Sequence, residues 1–243
     1  MHILILGANS DVAHAVAKRL ACTEKADLYL ASRDLEQLES KARDIRVRCD
    51  VQVNTLAFDA TDTRSHADFY NHLNPKPDGV VLAFGYNGVQ ERAQADFAEA
   101  GCIIDTNFRG AVSILEVVAA DFEKRCTGFI IAISSVAGLR GRQSNYIYGA
   151  AKGALKIYLD GLRNRLFKSR VRVLTVLPGF IDTKMTTGMD LPKVLTATAD
   201  QVADDIYAAF KKGKDRIYTR WFWRWIMLII RAVPEPIFKR LSL

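Results

Sequence analysis

The chain is poor in cysteine: Cys22, Cys49, Cys102 and Cys126 are the only four in 243 residues. None stands in a C-x-x-C or His/Cys ligand spacing. That argues against a disulfide-stapled miniprotein and a zinc module, so no metal site is expected. The four thiols are expected reduced and buried, as in a cytoplasmic protein. No run of about 18 apolar residues occurs, so no conventional membrane-spanning helix is expected. The start, His2-Ile3-Leu4-Ile5-Leu6 and then Gly7, has no basic leader, long apolar core or cleavage site, so no secretory signal is expected. Internal repeats, low-complexity tracts and an interdomain linker are missing as well.

What is present is an ordinary globular balance, 49% hydrophobic and 25% charged, enough for one full core. Short apolar runs at Ile3–Leu6, Leu28–Ala31, Val51–Phe58, Gly79–Ala83, Gly128–Ile133 and Val171–Leu177 read as strands covered on both faces. Helix-like stretches at Val12–Cys22, Leu35–Ile45, Asp96–Phe122 and Tyr148–Phe167 alternate with them. Such alternation implies right-handed βαβ crossovers and one doubly wound parallel sheet, an α/β domain over residues 1–218. Residues 219–243 look like an appendage to that completed fold.

The turn after the first strand, Gly7-Ala8-Asn9-Ser10-Asp11-Val12-Ala13, opens the first helix. Gly7 permits a tight bend, and Asn9, Ser10, Asp11 and Val12 then carry N–H groups that a phosphate can meet at the positive end of the helix dipole. Only one glycine of the usual three is there, and a simple strand-to-helix turn uses the same residues. The second strand ends in Ser32-Arg33, where an NAD site usually carries a carboxylate. A guanidinium and a hydroxyl there suit the 2′-phosphate of NADPH over NADH, although Arg33 also reads as a solvated helix-start residue. Asp59 can accept from an adenine amine or cap a helix.

Ser134-Ser135 closes a strand, and Tyr148-Gly-Ala-Ala-Lys152 follows. Tyrosine and lysine at i and i+4 share a helix face. A phenol with pKa about 10 is a poor acid–base group at neutral pH, and a neighbouring cation lowers that value. Tyr146 faces Ala150 and is expected to be a spectator.

Together with the Gly7 turn and Pro178-Gly179-Phe180-Ile181-Asp182-Thr183, this set resembles the short-chain dehydrogenase/reductase family over residues 1 to about 218. The resemblance implies a Rossmann fold, a nicotinamide cofactor and a homo-oligomer. It implies that Ser135 holds the substrate oxygen, that Tyr148 is the acid–base and that Lys152 binds ribose hydroxyls while depressing the tyrosine pKa. Asn107 matches the helix asparagine that holds a relay water, and it also reads as a polar kink residue. Pro178, Gly179 and Thr183 would border the nicotinamide. The family's usual Asn-Asn-Ala-Gly is replaced by Ala83-Phe84-Gly85-Tyr86-Asn87, where Gly85 keeps the close approach to the cofactor.

The net charge is +7, and residues 211–243, with nine Lys/Arg and two Asp/Glu, hold all of it; the first 210 residues balance at 25 of each sign. The tail also holds every tryptophan, in Arg220-Trp-Phe-Trp-Arg-Trp-Ile-Met-Leu-Ile-Ile-Arg231. That mixture suits an anionic membrane surface at the inner, cytoplasmic face, with no nucleic-acid motif to compete for the charge. The alternative is packing on the sheet's open end or on another subunit. Ala83-Phe84-Gly85, Tyr146-Ile-Tyr148-Gly149, Lys212-Gly213-Lys214 and Ile237-Phe238-Lys239-Arg240-Leu241 further resemble a branch of the family that reduces a 2-keto sugar on a polyprenyl phosphate. The expected activity is NADPH-dependent carbonyl reduction, on a lipid-linked keto-sugar. The alternatives are a reductase of small or acyl carbonyl substrates, its tail serving oligomerisation, and a non-catalytic NADP sensor. The segment Lys184–Thr198, expected to cover the substrate, has no readable chemistry.

Overall fold

The structure is a computed structural model describing residues 1–183 and 192–241. Most of the expected cover segment, residues 184–191, therefore lies outside the described residues. In chain order the elements are β1 (His2–Leu6), α1 (Asp11–Glu24), β2 (Asp27–Ser32), α2 (Leu35–Cys49), β3 (Val53–Ala57), α3 (His66–Asn71) and β4 (Gly79–Leu82). Then come α4 (Gln90–Ala95), α5 (Phe97–Ile104), a π-turn (Asp105–Arg109), α6 (Gly110–Arg125), β5 (Phe129–Ile133) and a 3-10 turn (Val136–Leu139). The chain continues through α7 (Tyr146–Leu166), β6 (Arg172–Pro178), β7 (Phe180–Ile181), β8 (Thr196–Ala197), α8 (Ala199–Lys211), β9 (Arg216–Thr219), α9 (Trp223–Ala232) and α10 (Glu235–Phe238).

Seven strands form one parallel sheet in the order β3-β2-β1-β4-β5-β6-β9. The period-2 geometry of a strand explains why its strands are apolar throughout: Ile3 and Ile5 face one helical layer while Leu4 and Leu6 face the other. On the first face α1, α2 and α8 contribute Leu20, Ile45 and Ile206; on the second α6 and α7 contribute Leu115, Leu155 and Leu159. This is the doubly wound Rossmann-type single domain, with its strand order reversing between β1 and β4.

Three expectations are corrected. The seventh strand was not foreseen: β9 pairs parallel to β6, with Thr175 opposite Arg216 and Pro178 opposite Thr219. An edge strand of four residues with a charged first residue carries no apolar run to announce it. The expected single helix Asp96–Phe122 is interrupted by the π-turn, where the Asn107 amide donates to the Ile103 carbonyl at 2.8 Å and Gly110 passes against the Ala60 backbone. One extra residue is fitted into the helix at that point. The thiols are not all reduced and buried: Cys22 of α1 and Cys49 of α2 form a disulfide with Cα atoms 4.5 Å apart, and Cys102 and Cys126 are exposed.

The tail is docked through one face only. Trp223 and Met227 are buried with Leu177 and Val136, while Trp221 and Trp225 remain 69% and 53% exposed. Trp223 stands edge-on to Phe180 at 5.1 Å and donates its indole N–H to the Leu195 carbonyl at 3.3 Å. Arg140 fastens the other end. Its guanidinium donates to the Ile230 and Val233 carbonyls at 2.6 and 2.7 Å, pairs with Glu235 at 3.0 Å and lies 3.7 Å from the Phe238 ring.

Candidate active site

The carboxyl ends of β1, β4, β5 and β6 open onto one cavity of about 650 Å³, where ligands of open parallel sheets bind. Gly7, at φ +80°, makes the turn out of β1. A side chain there would collide with the Phe84 backbone, so glycine is required. Ser10 precedes α1 without capping it through its side chain. This helix has 14 residues, and Asn9, Ser10, Asp11 and Val12 at its start all line the cavity. The arrangement fits a pyrophosphate.

Arg33 is exposed at the end of β2, lines the same cavity, and has no carboxylate within 4.0 Å among the described residues. Ser32 lies beside it on the wall. Asp59 is neither free nor a helix cap: its Oδ1 accepts from the Thr61 N–H and hydroxyl, both at 2.8 Å. Those bonds, the backbone N–H foremost, hold its carboxyl below the usual range. Asp59 still lines the cavity. Ala83, Phe84, Gly85, Pro178, Gly179 and Thr183, the other residues expected to border a cofactor, also line the cavity. Gly179 has a further task unseen in the sequence, because a side chain there would strike the Trp223 indole; the cavity wall and the tail share one contact.

Ser135, Tyr148 and Lys152 converge on the inner end of the cavity. Extended backbone at Ser135 carries the chain from β5 into the 3-10 turn, and its Oγ accepts the Ala137 N–H at 3.1 Å. Lys152 is 3% exposed, its Nζ donates to the Ile133 carbonyl at 3.2 Å, and it stands 5.8 Å from the Tyr148 ring centre. Burial pushes the Lys152 ammonium down to about 8 and the Tyr148 phenol up to about 12. The forces opposing the phenol's rise are the Ser135 hydroxyl and the positive charge of Arg142. The expectation that Lys152 lowers the phenol's pKa is therefore corrected. Desolvation dominates, because the same buried setting disfavours both phenolate and ammonium.

Asn107 is the one expected residue that the structure does not bring to the cavity wall. It is buried at the π-turn, donating to the Tyr86 carbonyl at 2.6 Å and accepting from the Tyr86 N–H at 3.2 Å. It thereby fixes the loop after β4. A Cβ at Gly85 would lie 2.9 Å from Asn107 Oδ1 and 3.2 Å from Lys152 Nζ, so Asn107 stands directly behind these two residues of the wall.

Two contributors escaped the sequence reading. Glu99, nearly buried, accepts from the Tyr86 hydroxyl at 2.8 Å and from the Val89 N–H at 3.1 Å, holding that same loop. Arg142 lines the cavity beside Tyr148. Its available signal was the pair Arg140-Gly-Arg142 standing between the strand-end serine and the tyrosine helix.

Comparison with known proteins agrees with this geometry. A family profile described as short chain dehydrogenase matches residues 1–192. An uncharacterized oxidoreductase of Mycobacterium tuberculosis is 35% identical over 242 residues, 98% of this chain and 96% of the relative. One of Streptomyces coelicolor is 32% identical over 241 residues, 98% and 95% of the two chains. Among solved structures, a short-chain dehydrogenase from Sphingobium yanoikuyae in complex with NADPH superposes with a TM-score of 0.84 at 24% identity, covering 96% of each chain.

Proposed function

The chain belongs to the short-chain dehydrogenase/reductase family, and from that premise we propose that it is an NADPH-dependent reductase of a carbonyl on a polyprenyl-phosphate-linked keto-sugar, working as a homo-oligomer at an anionic membrane surface. The observation that carries the reaction is the convergence of Ser135, Tyr148 and Lys152 on the cavity that the Gly7 turn and Arg33 also border. A nicotinamide bound there supplies a hydride to the carbonyl carbon. The chain's own part is to place the carbonyl oxygen and give it a proton. The Ser135 hydroxyl is at hand to hold that oxygen, and Tyr148 is its proton donor. A phenol held up near 12 keeps its proton throughout the neutral range, which is the state that reduction needs. Lys152, fixed by the Ile133 carbonyl, is the cation available to ribose hydroxyls. Asn107 and Gly85 keep the wall in place. Arg33 supports NADPH over NADH, and the NADPH of the Sphingobium neighbour supports the same choice.

The lipid part rests on the tail and on motif likeness. Ala83-Phe84-Gly85, Lys212-Gly213-Lys214 and the closing segment resemble the reductase subunit of the decaprenylphosphoryl-ribose 2′-epimerase system. The undocked side of the tail exposes Trp221, Trp225, Leu228 and Ile229 among Arg220, Arg224 and Arg231, the mixture an interfacial helix uses. No helix among the described residues is long and apolar enough to cross a membrane. The test is NADPH oxidation against a panel of keto-sugars with and without a polyprenyl phosphate, small ketones serving as controls. Activity confined to small ketones overturns the lipid-linked substrate. For the membrane, paired Trp225→Ser and Leu228→Ser changes should abolish flotation with anionic liposomes. Truncation near Tyr218 is the poorer test, because it also removes the buried Trp223.

A further inference from the structure

Arg142 is an arginine without an answer. The neighbouring Arg140 is fully engaged by the tail, and Arg125, Arg163, Arg165 and Arg216 each hold a carboxylate within 3.0 Å. The Arg142 guanidinium has no hydrogen bond and no ion pair among the described residues, and its Nε is buried without a partner. Burial lowers its pKa, and Tyr148 is the one group that opposes this. The only carboxylates on the described cavity wall, Asp11 and Asp59, belong to the phosphate and adenosine side. The same wall also carries Tyr86, Cys102, Thr106, Asn145 and Tyr148, none of them a carboxylate. A partly buried guanidinium left uncompensated is costly.

We infer that Arg142 is a substrate-specificity residue, binding a phosphate ester that the keto substrate carries one carbon away from its carbonyl. This rests on the carbonyl-reductase reading above and narrows its substrate class. A planar guanidinium on the cavity wall can meet a phosphate in two-point geometry. Arg142 and Tyr148 line the same cavity and each feels the other's charge. Tyr148 must meet the carbonyl oxygen, so an anion held by Arg142 belongs to the same end of the substrate. A glycosyl phosphate with a 2-keto group, in the order C(=O)–C–O–P, keeps the two groups together. The phosphate would also shield Tyr148 from Arg142 and so strengthen the phenol's hold on its proton until transfer.

Dihydroxyacetone phosphate reproduces this C(=O)–C–O–P order, and dihydroxyacetone lacks only the phosphate. In the wild type with NADPH, the phosphate should be reduced with the higher kcat/KM. Arg142→Gln should lower the ratio of the two kcat/KM values about tenfold or more, mostly through the KM of the phosphate. Arg142→Lys should retain part of the advantage. Titration calorimetry on the protein saturated with NADP+ gives a readout independent of turnover. Dihydroxyacetone phosphate should bind the wild type and bind Arg142→Gln about tenfold or more weakly, with NADP+ affinity unchanged. Equal binding by both proteins overturns the inference. So does inorganic phosphate binding at Arg142 as tightly as the ester, which would make it a free-anion site. If Tyr148→Phe reduces the substrates as well as wild type does, the carbonyl-reductase reading itself fails, a result separate from loss or retention of the Arg142 effect.

Discussion

Replacing Lys152 by methionine should make the protein more stable at neutral pH while disabling it. Lys152 is 3% exposed, and among the described residues its ammonium has one hydrogen bond, to the Ile133 carbonyl at 3.2 Å. Burial takes its pKa from 10.5 to about 8, which at about 1.4 kcal/mol per pH unit corresponds to roughly 3 kcal/mol against the ammonium in the native state. The sign follows from proton linkage. Between pH 8 and 10.5 the unfolded chain binds more protons than the native one, so wild-type stability rises with pH across that window. Below pH 8 the full penalty is present. Methionine has a similar length and no charge; it loses one hydrogen bond of about 1 kcal/mol, leaving a net gain of about 2 kcal/mol. For a domain of this size that is a rise in Tm of about 4–8 °C. Thermal melts of both proteins at pH 7 and pH 10, without cofactor, measure it. The gain should be large at pH 7 and mostly gone at pH 10. A Lys152→Met protein that melts below wild type at pH 7, or a gap that ignores pH, refutes the claim that the ammonium is held at a cost.

Three further outcomes follow from the same geometry. Arg33→Asp should move the kcat/KM preference from NADPH toward NADH by about 10–100-fold, the worth of a charge-assisted contact to the 2′-phosphate; an unchanged ratio measured with both cofactors removes Arg33 from that role. Carbonyl reduction should decline as pH rises through about 8, because Lys152 loses its proton there while Tyr148 keeps its own to about 12; a pH–rate profile flat to pH 10 contradicts this. Trp223→Ala should cost up to about 3–5 kcal/mol at the tail contact, since the indole is 3% exposed. Limited proteolysis of the tail and a weakened NADPH affinity through Gly179 report it, and an unaltered tail would show the contact to be idle.

The sheet was legible because strands buried on both faces announce themselves: Ile3–Leu6 and Gly128–Ile133 are apolar with no alternation to confuse them. β9 was not legible, because Arg216–Thr219 is short and takes its place from β6 rather than from its own composition. The candidate site was legible where a residue type and a spacing carry the chemistry, as at Tyr148 and Lys152. It was not legible where three-dimensional placement decides. Nothing in Asn107 says that its amide is spent on the Tyr86 backbone, and nothing in Gly179 says that Trp223 needs the space. The sequence pattern also puts a cation beside the phenol without saying how dry the site is, and desolvation reverses the direction of the pKa shift. The tail reading was half a description: one side of α9 is core, and the other is the apolar, basic surface that composition suggested.

The central claim is that Tyr148 hands a proton to a carbonyl oxygen as hydride arrives. Single-turnover oxidation of bound NADPH by an accepted ketone, compared between wild type and Tyr148→Phe, tests it most directly. The account predicts that Tyr148→Phe binds NADPH with unchanged affinity and loses about 100-fold or more of the rate. Oxidation at the wild-type rate by the Tyr148→Phe protein would contradict it.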